Sequence, residues 1–277
     1  RRQRQMCIRD RLTSVLDGAP ELAKQGANAN ELIIPMMSMD GLADYSRNGG
    51  YVQGGVTMTN ETVKCNFDRG RRFDVDVMDD LETAGLAFGR LSAQFIRDKV
   101  VPELDAFRFA SYCGISGVTK KEETLADGAA TVAALSAAVT AMDDEEVTAT
   151  GRYLFITPTL LQGINDMDTT KSKKVLEGFE RVIKVPQRRF YTAIKQLSGK
   201  TGEEAGGYTK AAGAANINFA IVQKDALIQY TKHAAPKIIA PENNPDADAY
   251  VFGYRMVGIA KAYKNMLSGM YFSHDKA

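Results

Sequence analysis

Histidine and cysteine are scarce in this chain of 277 residues, which holds two of the first and three of the second. That scarcity removes most metal and nucleophile chemistry. Cys7 falls in a segment set aside below. Cys65 and Cys113 have no CxxC spacing, so they imply neither a zinc site nor a disulfide framework, and each reads as a small buried hydrophobe in an apolar context. His233, between Lys232 and Ala234, has no second histidine or carboxylate at ligand spacing. His274 stands beside Asp275 and reads as solvated. No GxSxG motif occurs, no GxGxxG follows a strand, and neither Cys65 nor Cys113 has a histidine nearby in sequence. No apolar run approaches the roughly 18 residues that span a bilayer.

An excess of charge of one sign is also missing. Lys and Arg number 35 against 34 Asp and Glu, a net of +1. Five of those arginines crowd residues 1–11. Residues 1–10 reproduce the translation of a common transposon-based sequencing adapter, whose last bases also fit Arg11. Residues 1–11 are therefore expected to be an adapter artefact outside fold reasoning, in preference to a basic nucleic-acid-binding arm. Residues 12–30 then read as an N-terminal arm whose start is missing. The first eleven residues carry five Arg and one Asp, so the remainder comes to −3. A chain so balanced does not hold nucleic acid by bulk charge.

What is present is alternation, then helix, then a mixture. Leu12, Val15, Leu16 and Leu22 suggest a short helical turn or arm. Leu32 to Met37 reads as a strand, with Pro35 hinting at an edge. Residues 38–55 are polar and glycine-rich. Period-2 alternation resumes at Val56 and Met58, at Val63, Cys65 and Phe67, and, after an expected turn at Gly70, at Phe73, Val75 and Val77. From Leu81 apolar residues recur at Ala84, Phe88, Leu91 and Phe95, then at Leu104 and Phe107, one stripe of an amphipathic helix to Tyr112. Pro102 is expected to kink or divide it. At about 1.5 Å per residue such a helix approaches 48 Å, long enough to run right across a domain of this size.

Beyond the helix, residues 114–127 read as a polar connection, and Val132, Leu135, Val139 and Met142 mark a second helix. Strands are expected at Gly151 to Ile156, Val182 to Pro186, Ile217 to Val222, Lys237 to Ala240, Tyr250 to Tyr263 and Met270 to Phe272. Thr157 and Pro158 look like N-cap and first position of a short helix. Residues 198–216 read as a mobile loop, and Ala226, Leu227 and Tyr230 as a helical patch. The order is α+β, without the strict βαβα alternation of a doubly wound fold.

Chemical motifs fail on inspection. Gly199, Lys200 and Thr201 imitate a phosphate loop, but Ile194 stands where a Walker A loop needs glycine. Gly253, Gly258 and Gly269 suit strand irregularities. Asp74, Asp76, Asp79, Asp80 and Glu82 form either a carboxylate cation site or, more simply, a wet strand face and helix-start charge. Asp143 to Glu146 read as a solvated turn, and Lys171, Lys173 and Lys174 as surface. No catalytic residue, cofactor or metal site is expected.

The stretch from Phe73 to Tyr112 supports a resemblance. It runs Phe-Asp-Val-Asp-Val-Met-Asp-Asp-Leu-Glu-Thr, then helix, then Phe95-Ile-Arg-Asp-Lys-Val-Val-Pro-Glu-Leu-Asp-Ala-Phe-Arg108. This resembles the spine-helix region of tailed-bacteriophage major capsid proteins, and the closing strands resemble that family's C-terminal sheet. The resemblance, taken over residues 12–277, implies the Hong Kong 97-type capsid fold. In its terms residues 31–113 hold an extended E-loop hairpin (about 37–66), peripheral-domain strands and the spine helix (about 80–112). Residues 114–236 form the axial domain, 237–264 return to the peripheral domain, and 265–277 give the axial domain its last strand.

It further implies a structural, non-enzymatic subunit assembling with itself into hexamers and pentamers of an icosahedral shell. Portal and scaffolding proteins are implied as partners, and packaged double-stranded DNA would meet the inner face non-specifically. No membrane is involved, and the place of work is the virion, assembled in the bacterial host cytoplasm. Assembly contacts are implied for E-loop and spine residues Tyr45, Arg47, Asn48, Tyr51, Asp68, Arg69, Glu82, Arg97, Glu103 and Asp105. Gly49, Gly50, Gly54 and Gly55 would let one hairpin fit different ring environments. The lysine–asparagine crosslink of one family branch has no matching motif, so a non-crosslinked shell is expected. An encapsulin-type nanocompartment shell stands as the rival, and an α+β enzyme with an unrecognised site as a third reading.

Overall fold

The chain enters its fold through a hairpin. The computed structural model describes residues 11–18, 24–25, 31–78 and 86–276. Strand β2 (Glu31–Met39) pairs antiparallel with β3 (Val56–Lys64) from Glu31 opposite Lys64 to Met39 opposite Val56, and a two-residue β1 (Lys24–Gln25) joins the edge of β2. Nine residues in extended conformation reach about 30 Å. At its root Leu32 and Val63 are buried against Ile228 and Ile259.

Two residues turn the chain from this hairpin into the next sheet. The amide of Asn66 donates to the carbonyl of Ala260 and accepts from its N–H, both at 2.9 Å, so the side chain imitates a strand neighbour. Strand β4 (Phe67–Asp76) then runs beside β12 (Ala249–Ala262), whose other edge takes β11 (Leu227–Ile239), all antiparallel. The expected turn at Gly70 is absent because β4 passes straight through it. Glycine is needed there for closeness: a Cβ would stand 2.7 Å from the Tyr254 carbonyl. The helical patch expected at Ala226, Leu227 and Tyr230 is also absent. Only a single 3-10 turn, Lys224–Ala226, precedes β11, and the sheet already begins at Leu227, ahead of the expected border at Lys237. The register shifts by one between Thr231 and His233, a bulge in β11 opposite Val257 and Gly258.

The long helix lies on the inner face of this sheet. Among the described residues it comprises α1 (Leu86–Phe95), a π-helical turn (Ile96–Val100) and α2 (Val101–Gly114). The backbone stays helical through Phe95, Val100 and Val101, so residues 86–114 form one rod of about 43 Å at about 1.5 Å per residue. Of the kink or division expected at Pro102, the division does not occur. Proline lacks an N–H and its ring presses on the carbonyl four residues back; the wider π turn immediately before it gives that ring room. Phe95 packs edge-on to Phe73, ring centroids 4.8 Å apart, and Phe107 lies 4.9 Å from Phe67. The start of the expected helix, including Leu81 and Ala84, lies outside the described residues.

The remainder forms a second lobe around a five-stranded mixed sheet ordered β5 (Thr119–Glu122), β13 (Met270–His274), β10 (Ile217–Gln223), β6 (Arg152–Ile156), β7 (Arg181–Lys184). β10 and β6 are buried along their whole length, as strands covered on both faces must be. Leu154, Ile156, Phe219 and Ile221 face α3 (Gly128–Asp144), α4 (Pro158–Met167) and α5 (Thr170–Glu177). Phe155, Val222 and Phe272 face Phe109 and Tyr112 of the long helix and Leu16 of the N-terminal segment. Asp127 caps α3 by accepting from the Ala130 N–H at 2.7 Å. Thr157 occupies the N-cap of α4 but its hydroxyl makes no capping bond. The stretch read as a polar connection contributes β5, and the stretch read as a mobile loop contributes β9 (Tyr208–Lys210), paired with β8 (Ile194–Gln196).

Candidate assembly interface

Among the described residues, most of the exposed large apolar side chains lie on the hairpin. Register places Met37 opposite Met58 and Met39 opposite Val56. Residues opposite each other, and residues two apart, share a face, so these four side chains form one cluster, 55 to 66% exposed. The other face at that level carries Ser38, Thr57 and Thr59. At the root the parity is reversed: Leu32 and Val63 lie on the Ser38 side, and that side is covered by the subunit's own β11 and β12. The apolar side therefore changes along the arm. The body covers one side at the base, and the methionine cluster faces the other way.

The tip is built, though exposed. Gly50 donates to the Ser46 carbonyl at 2.8 Å, and the Gly49 N–H donates to Ser46 Oγ at 2.7 Å. Gly50 has φ of +72°, which a side chain would strain. Tyr45 and Tyr51 bracket this turn with ring centroids 5.0 Å apart. Asp40 closes the neck by accepting from the Gly55 N–H at 2.7 Å. Tyr45, Arg47, Asn48 and Tyr51 thus lie together at the end of the arm, all exposed, with Leu42 and Val52.

The other expected contact residues separate. Asp68 forms a two-pronged pair with Arg255 at 2.9 and 2.6 Å on the outer face of the three-stranded sheet, and that bond holds its carboxyl below the ordinary value. Arg97 pairs with the adjacent Asp98 on the exposed side of the π turn. Arg69 turns inward: it pairs with Glu103 at 2.8 Å and donates to the carbonyls of Leu197 and Gly207, clasping the β8–β9 loop to the helix. Burial pushes the Glu103 carboxyl up, against the pull of Arg69. Glu82 lies outside the described residues.

Asp105 corrects its expectation outright. Its side chain has no exposed surface, so no neighbouring molecule can touch it. It accepts from the N–H groups of Leu12 and Thr13, both at 3.2 Å, and from Thr13 Oγ1 at 2.7 Å. Arg108, also buried, donates to Thr13 Oγ1 at 2.9 Å, and Gln229 donates to the Thr13 carbonyl while accepting from the Tyr112 hydroxyl. Burial raises the Asp105 carboxyl, opposed by the Thr13 bond and the charge of Arg108. This network fastens residues 11–18 to the long helix and β11. Arg11, placed by the sequence in the adapter segment, belongs to it: it is buried, pairs with Asp17 at 2.7 Å and reaches Thr231.

The chemical decoys have structural roles. Lys200 and Thr201 lie in the loop clasped by Arg69. Asp74 pairs with Arg72, and Asp76 accepts from the Met78 N–H, while Asp79 and Asp80 lie outside the described residues. Asp143, read as part of a solvated turn, pairs at 2.7 Å with the buried Arg152. Cys113 is buried, its thiol pushed up to about 11 by desolvation, and Cys65 is half-buried at the hairpin root. His233 is exposed on β11, and His274 is half-buried at the end of β13. Among the described residues no three His, Cys, Asp or Glu side chains are grouped to hold a metal ion. No described helix is long and apolar enough to cross a membrane.

No protein-family model matches the chain, and no curated protein sequence matches it. Solved structures do. A structure from Gordonia phage Cozz superposes with a TM-score of 0.62 at 10% identity, covering 96% of this chain and 86% of that one. The capsid structure of Cyanophage P-SCSP1u gives 0.55 at 12% identity over 91% and 85%. The virus-like particle from Pyrococcus furiosus gives 0.55 at 8% identity over 97% and 98%. Identities this low speak for the fold alone, and the fold is the Hong Kong 97-type capsid fold.

Proposed function

We propose that this chain is a shell subunit, the major capsid protein of a tailed phage, and that it works by self-assembly without catalysis. The observation that carries the reading is the change of apolar side along the hairpin. A two-stranded arm does not hold itself together in water, and its exposed Met37, Met39, Val56 and Met58 face away from the side the body covers. An identical neighbour supplies the missing surface, and head-to-tail contacts of this kind close into rings and then a shell. On this reading Tyr45, Arg47, Asn48 and Tyr51 contact the next subunit, Asp68 with Arg255 and Arg97 with Asp98 lie on surfaces open to neighbours, and Arg69, Glu103 and Asp105 hold the subunit's own shape. Portal and scaffolding proteins are its expected partners, with packaged DNA against the inner face and the virion as its location.

The test is to express the chain without its first ten residues and examine it by negative-stain microscopy. Closed particles of uniform size support the reading. Persistent monomers with the hairpin folded onto the body overturn it.

One observation favours a second reading, an encapsulin-type compartment. The likeness to the Pyrococcus furiosus particle spans both chains almost end to end, whereas that to Cyanophage P-SCSP1u leaves more of the phage chain uncovered. Gene neighbourhood separates the two: a terminase or portal gene alongside favours phage, and a ferritin-like or peroxidase gene favours the compartment.

A further inference from the structure

We propose that Met37, Met39 and Met58 form an oxidation-sensitive patch: a hydroperoxide converts them to sulfoxides in the free subunit and blocks assembly, and a closed shell shields them. The inference rests on the reading of the hairpin face as covered by a second copy. Three of the four side chains in that exposed cluster end in a thioether, and the register holds Met37 directly across from Met58. Outside the arm, Met142, Met256 and Met270 are buried within the chain, whereas Met78 and Met266 are exposed. Accessibility therefore separates the open hairpin thioethers from the closed core ones, and Met78 and Met266, exposed outside the hairpin, serve as open references.

The chemistry is a two-electron oxygen transfer. The thioether sulfur attacks one oxygen of hydrogen peroxide, an S–O bond forms as the O–O bond breaks, and the leaving hydroxide takes the proton from the new S–OH to become water, leaving the sulfoxide. Sulfur is oxidised and peroxide reduced. The product is a polar, chiral sulfoxide in place of a flexible apolar side chain, a change known to disrupt methionine-rich contacts. On a face buried against a neighbour, each sulfoxide dipole must be desolvated, so three of them oppose the contact together.

The experiment treats purified subunits and assembled particles separately with hydrogen peroxide, follows each methionine by peptide mass spectrometry, and measures assembly by light scattering. Met37, Met39 and Met58 should oxidise at least about tenfold faster in subunits than in particles, with Met142, Met256 and Met270 slow in both, and oxidised subunits should fail to assemble. A variant carrying Met37→Leu, Met39→Leu and Met58→Leu keeps apolar volume and should assemble after the same treatment; if the triple variant folds poorly, Met37→Leu with Met58→Leu serves instead and should regain most of the assembly. Equal oxidation rates in particles and subunits, full assembly of oxidised subunits, or loss of assembly by the treated leucine variant would each overturn the proposal while leaving the shell reading intact. Failure of untreated subunits to form particles counts against the shell reading and removes this inference with it.

Discussion

Thr13 Oγ1 donates a 2.7 Å hydrogen bond to Asp105, joining the N-terminal segment to the middle of the long helix inside the molecule. The same carboxylate accepts from two backbone N–H groups and lies 3.5 Å from Arg189. Removing it leaves the buried Leu12 and Thr13 donors and the largely buried Arg189 guanidinium without this acceptor. Asp105→Ala should therefore cost about 3–5 kcal/mol of unfolding free energy, and Thr13→Val, which removes only the hydroxyl, about 1–3 kcal/mol. Urea denaturation of the dissociated subunit measures both. Equal and small effects would show that the segment is not fastened here.

Two glycines at one helix crossing should respond oppositely. A Cβ on Gly128 would run into the carbonyl of Gly163, whereas a Cβ on Gly163 would meet Gly128 at 3.4 Å or more, ordinary contact. Gly128→Ala should destabilise by about 1–3 kcal/mol through overpacking. Gly163→Ala, within a helix and with room, should be neutral or stabilise by up to about 1 kcal/mol. Thermal denaturation of the pair checks the sign.

The clasp at Arg69 depends on guanidinium geometry. One side chain serves Glu103 and two carbonyls, which an ammonium on a flexible stem does not reproduce. Arg69→Lys should cost about 1–3 kcal/mol and make residues 198–207 more susceptible to protease. An unchanged digestion rate would mean that the loop is held by other contacts.

Glu203 makes a pH prediction for the same loop. Its carboxyl is held down to about 2, first by Lys195 and then by the Ser198 N–H. A carboxyl depressed in the fold lends order that is complete above its ordinary value and is lost as pH falls through the depressed one. Hydrogen exchange at Ser198 should be slow at neutral pH and accelerate, relative to the five-stranded sheet, as pH falls from about 4.5 towards about 2. Glu203→Gln should flatten that profile.

The long helix and the hairpin could be read from the sequence because both leave local periodicity: Leu91, Phe95, Leu104 and Phe107 on one stripe, Val56, Met58 and Val63 in alternation. What escaped is set by distant chain. Leu227 and Tyr230 look helical locally, but twelve cross-strand partners along β12 make them strand. Thr119 to Glu122 carry no strand signature and are exposed, ordered as an edge by the parallel neighbour β13. Pro102 predicted a kink or a division, and the π turn that lets the helix run on has no sequence mark. Asp105 looked like an outward charge because nothing near it reveals that residues 12 and 13 return to cover it. Tyr45, Arg47, Asn48 and Tyr51 were legible as a group because a glycine-rich tip between alternating strands is a local pattern.

Shortening the arm separates folding from association. The tip makes its hydrogen bonds within itself and its side chains are exposed, so replacing residues 40–55 by a two-residue Asn-Gly turn between Met39 and Val56 should leave subunit stability within about 0.5 kcal/mol while lowering particle yield through loss of the tip contacts. Particles of normal yield from the shortened chain would remove Tyr45, Arg47, Asn48 and Tyr51 from the association surface and leave it to the methionine face.

Sedimentation velocity of the purified chain over rising concentration tests the central claim most directly. The account predicts that the 30.2 kDa species gives way to ring-sized and then shell-sized boundaries, with the hairpin amides of residues 31–64 gaining protection from hydrogen exchange as they appear. A single boundary of monomer mass at every concentration, with those amides already protected, would contradict it.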